Sequence, residues 1–189
     1  MPDKNAVLGV LKQNSCLFDI IKTVSRDRTE KFYVGAGAVT QTVWNYIFGN
    51  ELTYGIDDID IVYFNNNDLS ESAEDVVIKT LLHKLKHVPF RLDIKNQARV
   101  HVWYKSKFGY DMVPLTSVQD AIDKWPTTAN SIGLRINRLN NMELYAPFGL
   151  DDLFSGIVRP NKSQITPEIY YGKVHKWIKK WPDLKIIEW

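Results

Sequence analysis

Apolar residues recur at helical spacing from Val7, Leu8 and Leu11 through Leu17, Phe18, Ile21 and Val24, which predicts one amphipathic helix near the start of the chain. A short strand is expected over 31–34, broken by Gly35-Ala36-Gly37. A helical pattern then runs over 38–48 and is closed by Gly49. Residues 58–64 read Asp-Ile-Asp-Ile-Val-Tyr-Phe, an apolar and β-branched run that predicts a buried strand. The cluster 65–68 marks a turn. A second amphipathic helix follows over 70–87, with Val76, Val77, Leu81, Leu82 and Leu85 on its expected inner face, and 90–94 is another short strand. This order predicts an α/β (α+β) fold, a small mixed sheet flanked by helices.

Beyond that core, 118–125 predicts a helix stopped by Pro126. Residues 132–139 and 142–146 flank Asn140-Asn141 and read as a β-hairpin. Thr166 followed by Pro167 is a helix start, and that helix is expected to run to about Lys180, before Pro182. No repeat or low-complexity linker divides the 189 residues. The expectation is a single domain over 1–189, with a core of about 1–110 and a C-terminal hairpin and helix extension of about 111–189.

Hydrophobic residues make up 44% of the chain, enough for a substantial core, and a net charge of +2 neither demands nor excludes a nucleic-acid partner. Cys16 is the only cysteine, so no intrachain disulfide can form and a reducing compartment is expected. No apolar run reaches the roughly 18 residues of a membrane span, and the first residues lack a charged-then-apolar leader pattern. These features predict a cytoplasmic chain with no membrane partner.

Candidate chemistry begins with Asp58 and Asp60. Side chains alternate along a strand, so both acids share a face. Two carboxylates on a core strand are costly unless water or a cation meets them, and paired oxygens suit a divalent metal. The bland alternative is a capped strand start plus one surface acid. Asp93, between Leu92 and Ile94, is by itself ordinary solvent-facing alternation. Beside the Asp-x-Asp strand it completes a three-carboxylate site able to hold two Mg²⁺ ions, and it can take a proton from an attacking hydroxyl. Gly35-Ala36-Gly37 lies between a strand and a helix, where backbone N–H groups can approach a phosphate. A tight packing turn is the competing reading.

These residues resemble the nucleotidyltransferase superfamily of DNA polymerase β type. Its pattern is a glycine turn, Asp-x-[Asp/Glu] on one strand and a third acid on a neighbouring strand, here Gly37, Asp58 with Asp60, and Asp93. The chain is further similar to a bacterial family of small nucleotidyltransferase-like proteins. The segments that carry this likeness begin at Gly35, Asp58, Asp93, Trp125 and Ala146, and they span most of the chain in order. The resemblance implies a polymerase β-like core and Mg²⁺-dependent transfer of a nucleoside monophosphate from an NTP to a hydroxyl, with release of pyrophosphate. It also implies that Asp58, Asp60 and Asp93 bind metal and that the backbone from Gly35 to Ala38 holds the β- and γ-phosphates. Ala38 stands where the superfamily carries Gly or Ser, which removes a hydroxyl; Thr40 and Thr42 are the substitutes. The resemblance names no acceptor. A small molecule or protein is expected ahead of RNA, and the oligomeric state is open. A nucleotide-binding or regulatory module without turnover is the alternative.

Arg99 and Arg135 are further phosphate candidates, set against a solvated arginine and simple strand alternation respectively. Trp44-Asn45 and Trp103-Tyr104 are expected in the core or a cleft wall. His83 and His87 have i,i+4 spacing but no glutamate after His83, so they read as surface residues rather than zinc ligands. Lys173, Lys176 and Lys180 share a helix face that reads as solvated, with RNA contact as the lesser reading.

Overall fold

Alternation along five strands sorts the chain onto two faces of one sheet. The computed structural model describes residues 2–27, 29–137, 139 and 141–189. The strands are β1 (Tyr33–Gly35), β2 (Asp58–Tyr63), β3 (Arg91–Asn96), β4 (Gly133–Ile136) and β5 (Met142–Tyr145). They lie in the order β3-β2-β1-β4-β5. Within this sheet, among the described residues, only the β2–β3 pairing is parallel. A parallel pair needs a crossover, and helix α4 (Glu71–Lys84) supplies it.

Val34, Ile61, Ile94 and Leu134 are aligned across four strands and are buried. They form one apolar cluster with helices α1 (Lys4–Gln13), α2 (Ser15–Arg26), α3 (Ala36–Ile47) and α4. On the other face Tyr33 and Val62 pack against Val118 and Ile122 of α6 (Val118–Asp123). Helix α5 (Val100–Phe108) joins them through Tyr104 and Ala121. After the short α7 (Asp151–Phe154), β6 (Ile157–Val158) pairs in parallel with β7 (Lys185–Ile186), and α8 (Pro167–Lys180) connects the two. The mixed sheet flanked by helices is the architecture expected from the sequence. Among the described residues, no helix is long and apolar enough to cross a membrane.

Several local expectations need correction. The first helix is two helices, because Asn14 interrupts it. The Asn14 Oδ1 accepts the Leu17 N–H at 3.1 Å, while its Nδ2 donates to Thr42 Oγ1 and the Leu52 carbonyl. That side chain is buried, and its cap overrides a continuous apolar stripe. The strand expected over 31–34 lies two residues later at one end. The helix expected from residue 38 opens at Ala36, with the extended Gly35 as its N-cap. On α4, Val76 and Leu82 are exposed, and the buried stripe runs through Leu81 toward Leu85. The β4–β5 hairpin forms. Its strand β4 ends at Ile136 because Asn137 Oδ1 accepts the N–H groups of Leu139 and Asn141. Asn140 lies outside the described residues.

The last helix is clamped to α3. Trp44 meets Trp177 and Trp181 edge to face at 5.4 and 5.7 Å. Trp181 Nε1 donates to Asn45 Oδ1 at 2.7 Å, and Asn45 Nδ2 donates to the Leu52 and Tyr54 carbonyls. Asn45 is fully buried, so removing its amide strands an indole N–H and the Tyr54 carbonyl, while the Leu52 carbonyl keeps Asn14. Asn45→Ala is expected to lower unfolding stability by about 2–4 kcal/mol. Urea denaturation followed by tryptophan fluorescence measures it.

Candidate active site

One row of residues crosses the sheet from β3 to β4: Asp93, Asp60, Gly35 and Gly133. Residues in such a row point to the same face. Asp58 shares that face, two positions from Asp60. The two glycines leave half the row bare, and neighbouring elements settle onto it. A Cβ on Gly35 would lie 2.3 Å from the Ile132 carbonyl oxygen and 2.9 Å from the Trp125 ring. A Cβ on Gly133 would meet Ile122 at 2.6 Å. Helix α6 and Trp125 therefore cover the glycine half and leave the acid half open.

The opening is a cavity of about 690 Å³. Asp58, Asp60 and Asp93 line it together with Gly37 from α3, Trp103 from α5 and Lys173 from α8. A Cβ on Gly37 would sit 3.2 Å from the movable end of Gln41 and 4.0 Å from Asp60 Oδ2. The N–H groups of Gly37 and Ala38 belong to the first turn of α3, where a helix has no acceptor of its own. The residue before them, Ala36, has φ +49°, a left-handed conformation that costs an alanine roughly 1–2 kcal/mol. Its N–H is held by the Ile132 carbonyl at 3.0 Å.

The acids differ in their partners. Asp58 is ion-paired with Arg91 from β3, directly across the strand pair, and Asp93 with Lys95. Asp60 has no ion pair among the described residues. Burial, then the charges of Asp93 and Asp58, push its carboxyl up to about 6, against the pull of Lys95 and Lys173. Among the described residues, no three acidic, histidine or cysteine side chains already converge as a ligand set. The reason is visible: Asp58 and Asp93 are each turned to a cation. The donor set still fits a hard divalent ion, because three carboxylates share one face and the central one is uncompensated. The two competing cations stand on long, mobile side chains.

The other candidates fall elsewhere. Gly35 is a packing residue, since its missing Cβ makes room for Ile132 and Trp125. Ala38 has its methyl in the core and can offer only its backbone. Thr40 is buried with Oγ1 donating to the Ala129 carbonyl, and the Thr42 hydroxyl donates to the Ala38 carbonyl, so neither replaces a turn serine. Arg99 is buried against α4, paired with Glu74 and donating to the Leu69 carbonyl. Arg135 lies over the Tyr33 ring at 5.8 Å and 3.6 Å from Glu143. It faces a separate cavity of about 820 Å³ that contains none of the three acids. Trp44 and Asn45 are core. His83 is a surface residue, and His87 lies 3.5 Å from Asp19 on the exterior.

Lys173, Lys176 and Lys180 were expected as a solvated helix face, with RNA contact as the lesser reading, and all three line the acid cavity. Their helical spacing was the available signal; that the face turns toward β2 and β3 was not. Burial pulls the Lys173 ammonium below its ordinary value, with Asp60 opposing and Lys176 repelling. Asn130, in the loop that holds Ala36, is buried at the same cavity, with its Oδ1 unpartnered among the described residues.

The raised Asp60 value makes ionisation oppose folding. The unfolded carboxyl titrates near 3.8 and the folded one near 6, so the cost is absent below about pH 4, grows between the two values and is complete above about 6. Asp60→Asn is therefore expected to stabilise the metal-free protein by roughly 1–3 kcal/mol at pH 7.5 and to give no gain near pH 3.5. Urea midpoints at the two pH values measure it. By contrast, Gly35→Ala is expected to destabilise by at least about 2 kcal/mol at either pH, because backbone must move.

A family model described as nucleotidyltransferase matches residues 22–186. No curated protein sequence matches the chain. A solved NMR structure described as revealing a CCA-adding enzyme head domain is similar with a TM-score of 0.77 and 26% identity, covering 99% of this chain and 97% of that one. A Thermotoga maritima CCA-adding enzyme complexed with tRNA has a TM-score of 0.51 and 16% identity, over 96% of this chain and 42% of that one. The chain thus spans less than half of that enzyme, and the likeness there is one of fold. With the family match extending over most of the sequence, from α2 into β7, the chain belongs to the nucleotidyltransferase family.

Proposed function

We propose that the cavity transfers a nucleoside monophosphate from an NTP to a hydroxyl, in a Mg²⁺-dependent reaction. The observation that carries this reading is the Asp93–Asp60 row, with Asp58 on the same face and the central carboxyl raised to about 6 by its neighbours. Asp58, Asp60 and Asp93 would hold the metal, which supplies charge neutralisation at the reacting phosphate. Asp93 accepts the proton of the acceptor hydroxyl. That oxygen forms a bond to the α-phosphorus, the bridging bond to the β-phosphate breaks, and pyrophosphate leaves with the electron pair. The Gly37 and Ala38 N–H groups at the start of α3 hold phosphate oxygens.

The C-terminal segment takes part, because α8 walls the same cavity, and the reading treats 1–189 as one working unit. A cytoplasmic setting supplies the nucleotide. The tRNA bound by the Thermotoga maritima CCA-adding enzyme, a neighbour in fold, supports RNA as one acceptor class. Small-molecule and protein hydroxyls are the other two, expected from the sequence.

The test is incubation of each labelled NTP and Mg²⁺ with small-molecule, protein and RNA fractions of a cell extract. Wild type is expected to release pyrophosphate and label one fraction. Asp60→Ala and Asp93→Ala are expected to do so at least about a hundredfold more slowly. Equal release by wild type and both variants would remove the transfer reading. Nucleotide binding without release in any fraction would leave a binding module.

A further inference from the structure

Six lysines line the acid cavity: Lys95, Lys107, Lys124, Lys173, Lys176 and Lys180. Three of them are neutralised. Lys95 pairs with Asp93, Lys124 with Asp120 at 2.8 Å, and Lys180 with Asp57 at 2.7 Å. The other three have no carboxylate partner among the described residues. Lys107 comes from the end of α5, and Lys173 and Lys176 come from α8. Two of the three sit over rings: the Lys107 ammonium lies 5.5 Å from Trp103 and 5.4 Å from Phe108, and that of Lys173 lies 5.8 Å from Trp177.

A solvated lysine face has no need of this arrangement. Lys173 is only partly exposed, and both Lys107 and Lys176 lie near enough to disfavour its charge further. Three like charges from two helices thus repel one another at one cavity, and none reaches ion-pair distance of the floor acids among the described residues, although Asp60 attracts Lys173 from further off. A polyanion entering from the mouth relieves that repulsion. The floor suits the reacting phosphate, and the lysines suit further phosphates in the same chain. None of the arginines or threonines expected from the sequence reaches this place.

We propose that Lys107, Lys173 and Lys176 form a polyphosphate-binding wall that holds the triphosphate tail of the nucleotide and the pyrophosphate it leaves. This rests on the transfer reading for its role, but the binding can be measured without it. The probe is inorganic tripolyphosphate, titrated calorimetrically with EDTA present and again with Mg²⁺. Lys173→Met and Lys107→Met keep an apolar stem on the rings, and their melting temperatures check folding. Each is expected to weaken tripolyphosphate binding roughly tenfold in both conditions, and the double variant to weaken it further. Asp60→Asn is expected to bind metal-free tripolyphosphate at least as tightly as wild type while losing turnover. That pattern without turnover in any variant supports the wall and removes the transfer reading. Wild-type affinity in folded lysine variants overturns the wall, as does failure of the wild type to bind tripolyphosphate. Loss of single-stranded RNA binding with tripolyphosphate binding unchanged overturns it in favour of an RNA backbone contact.

Discussion

Two carboxylates on neighbouring strands repel each other, and the parallel register of β2 on β3 holds Asp60 beside Asp93 regardless. That register is set on the opposite face. Ile61 and Ile94 are partners one position further along, both buried in the main cluster, and a one-residue slip would turn that apolar row to solvent. The core therefore holds the acids together against their own electrostatics. It can do so because apolar burial is distributed over many residues, while the repulsion is concentrated on one carboxyl. A destabilised group held by a stable frame suits a binding site for a cation, since a bound cation relieves the unfavourable charge.

The second half of the row explains why a cleft exists at all. Gly35 and Gly133 let Ile132, Trp125 and Ile122 come down onto the sheet. Side chains of any size there would lift α6 and fill the space beside Asp60. The same descent brings the Ile132 carbonyl to the Ala36 N–H, which holds the strained first residue of α3 in place. The helix N-terminus, the acids and the cover thus depend on one close backbone approach. The opposite wall depends on a different contact. Trp181 and Asn45 lock the end of α8 onto α3, so the helix that carries Lys173 and Lys176 is referenced to the helix that carries Gly37.

The sheet and its acids were legible because they obey local rules. Period-2 alternation put Asp58 and Asp60 on one face, a β-branched run marked the strand, and Thr166-Pro167 marked the start of α8. What was not legible is long-range. Nothing near Arg99 in sequence announces Glu74, which reaches it from a helix 25 residues earlier and takes it out of consideration as a phosphate ligand. Asn14 is one polar residue within an apolar stripe, and its partners, Thr42 and Leu52, lie far along the chain. Gly35 and Gly37 were equivalent as letters, and they separate only once Ile132 is found against one and Gln41 near the other. The lysines of α8 show the same limit from the other side: helical spacing identifies the face, and only the packing of Trp177 and Trp181 shows which way it looks.

The charges around the cavity are arranged in depth rather than merely balanced. Among the described residues, Arg91 and Lys95 hold the outer two carboxylates at the floor and leave the central one without an ion pair. At the wall, three lysines have counterions among the described residues and three do not. If the unpaired lysines simply compensated the unpaired acid, they would approach it within ion-pair distance, whereas Lys173 attracts Asp60 only from further off and burial still holds its ammonium below the ordinary value. Instead positive and negative excess stay apart across the same opening. Each excess is anchored by its own packing, the acids by β2 and β3 and Lys107 and Lys173 by aromatic rings on α5 and α8. A ligand that carries cation and polyanion together matches both ends at once, and a metal–polyphosphate complex is the chemical species with that character.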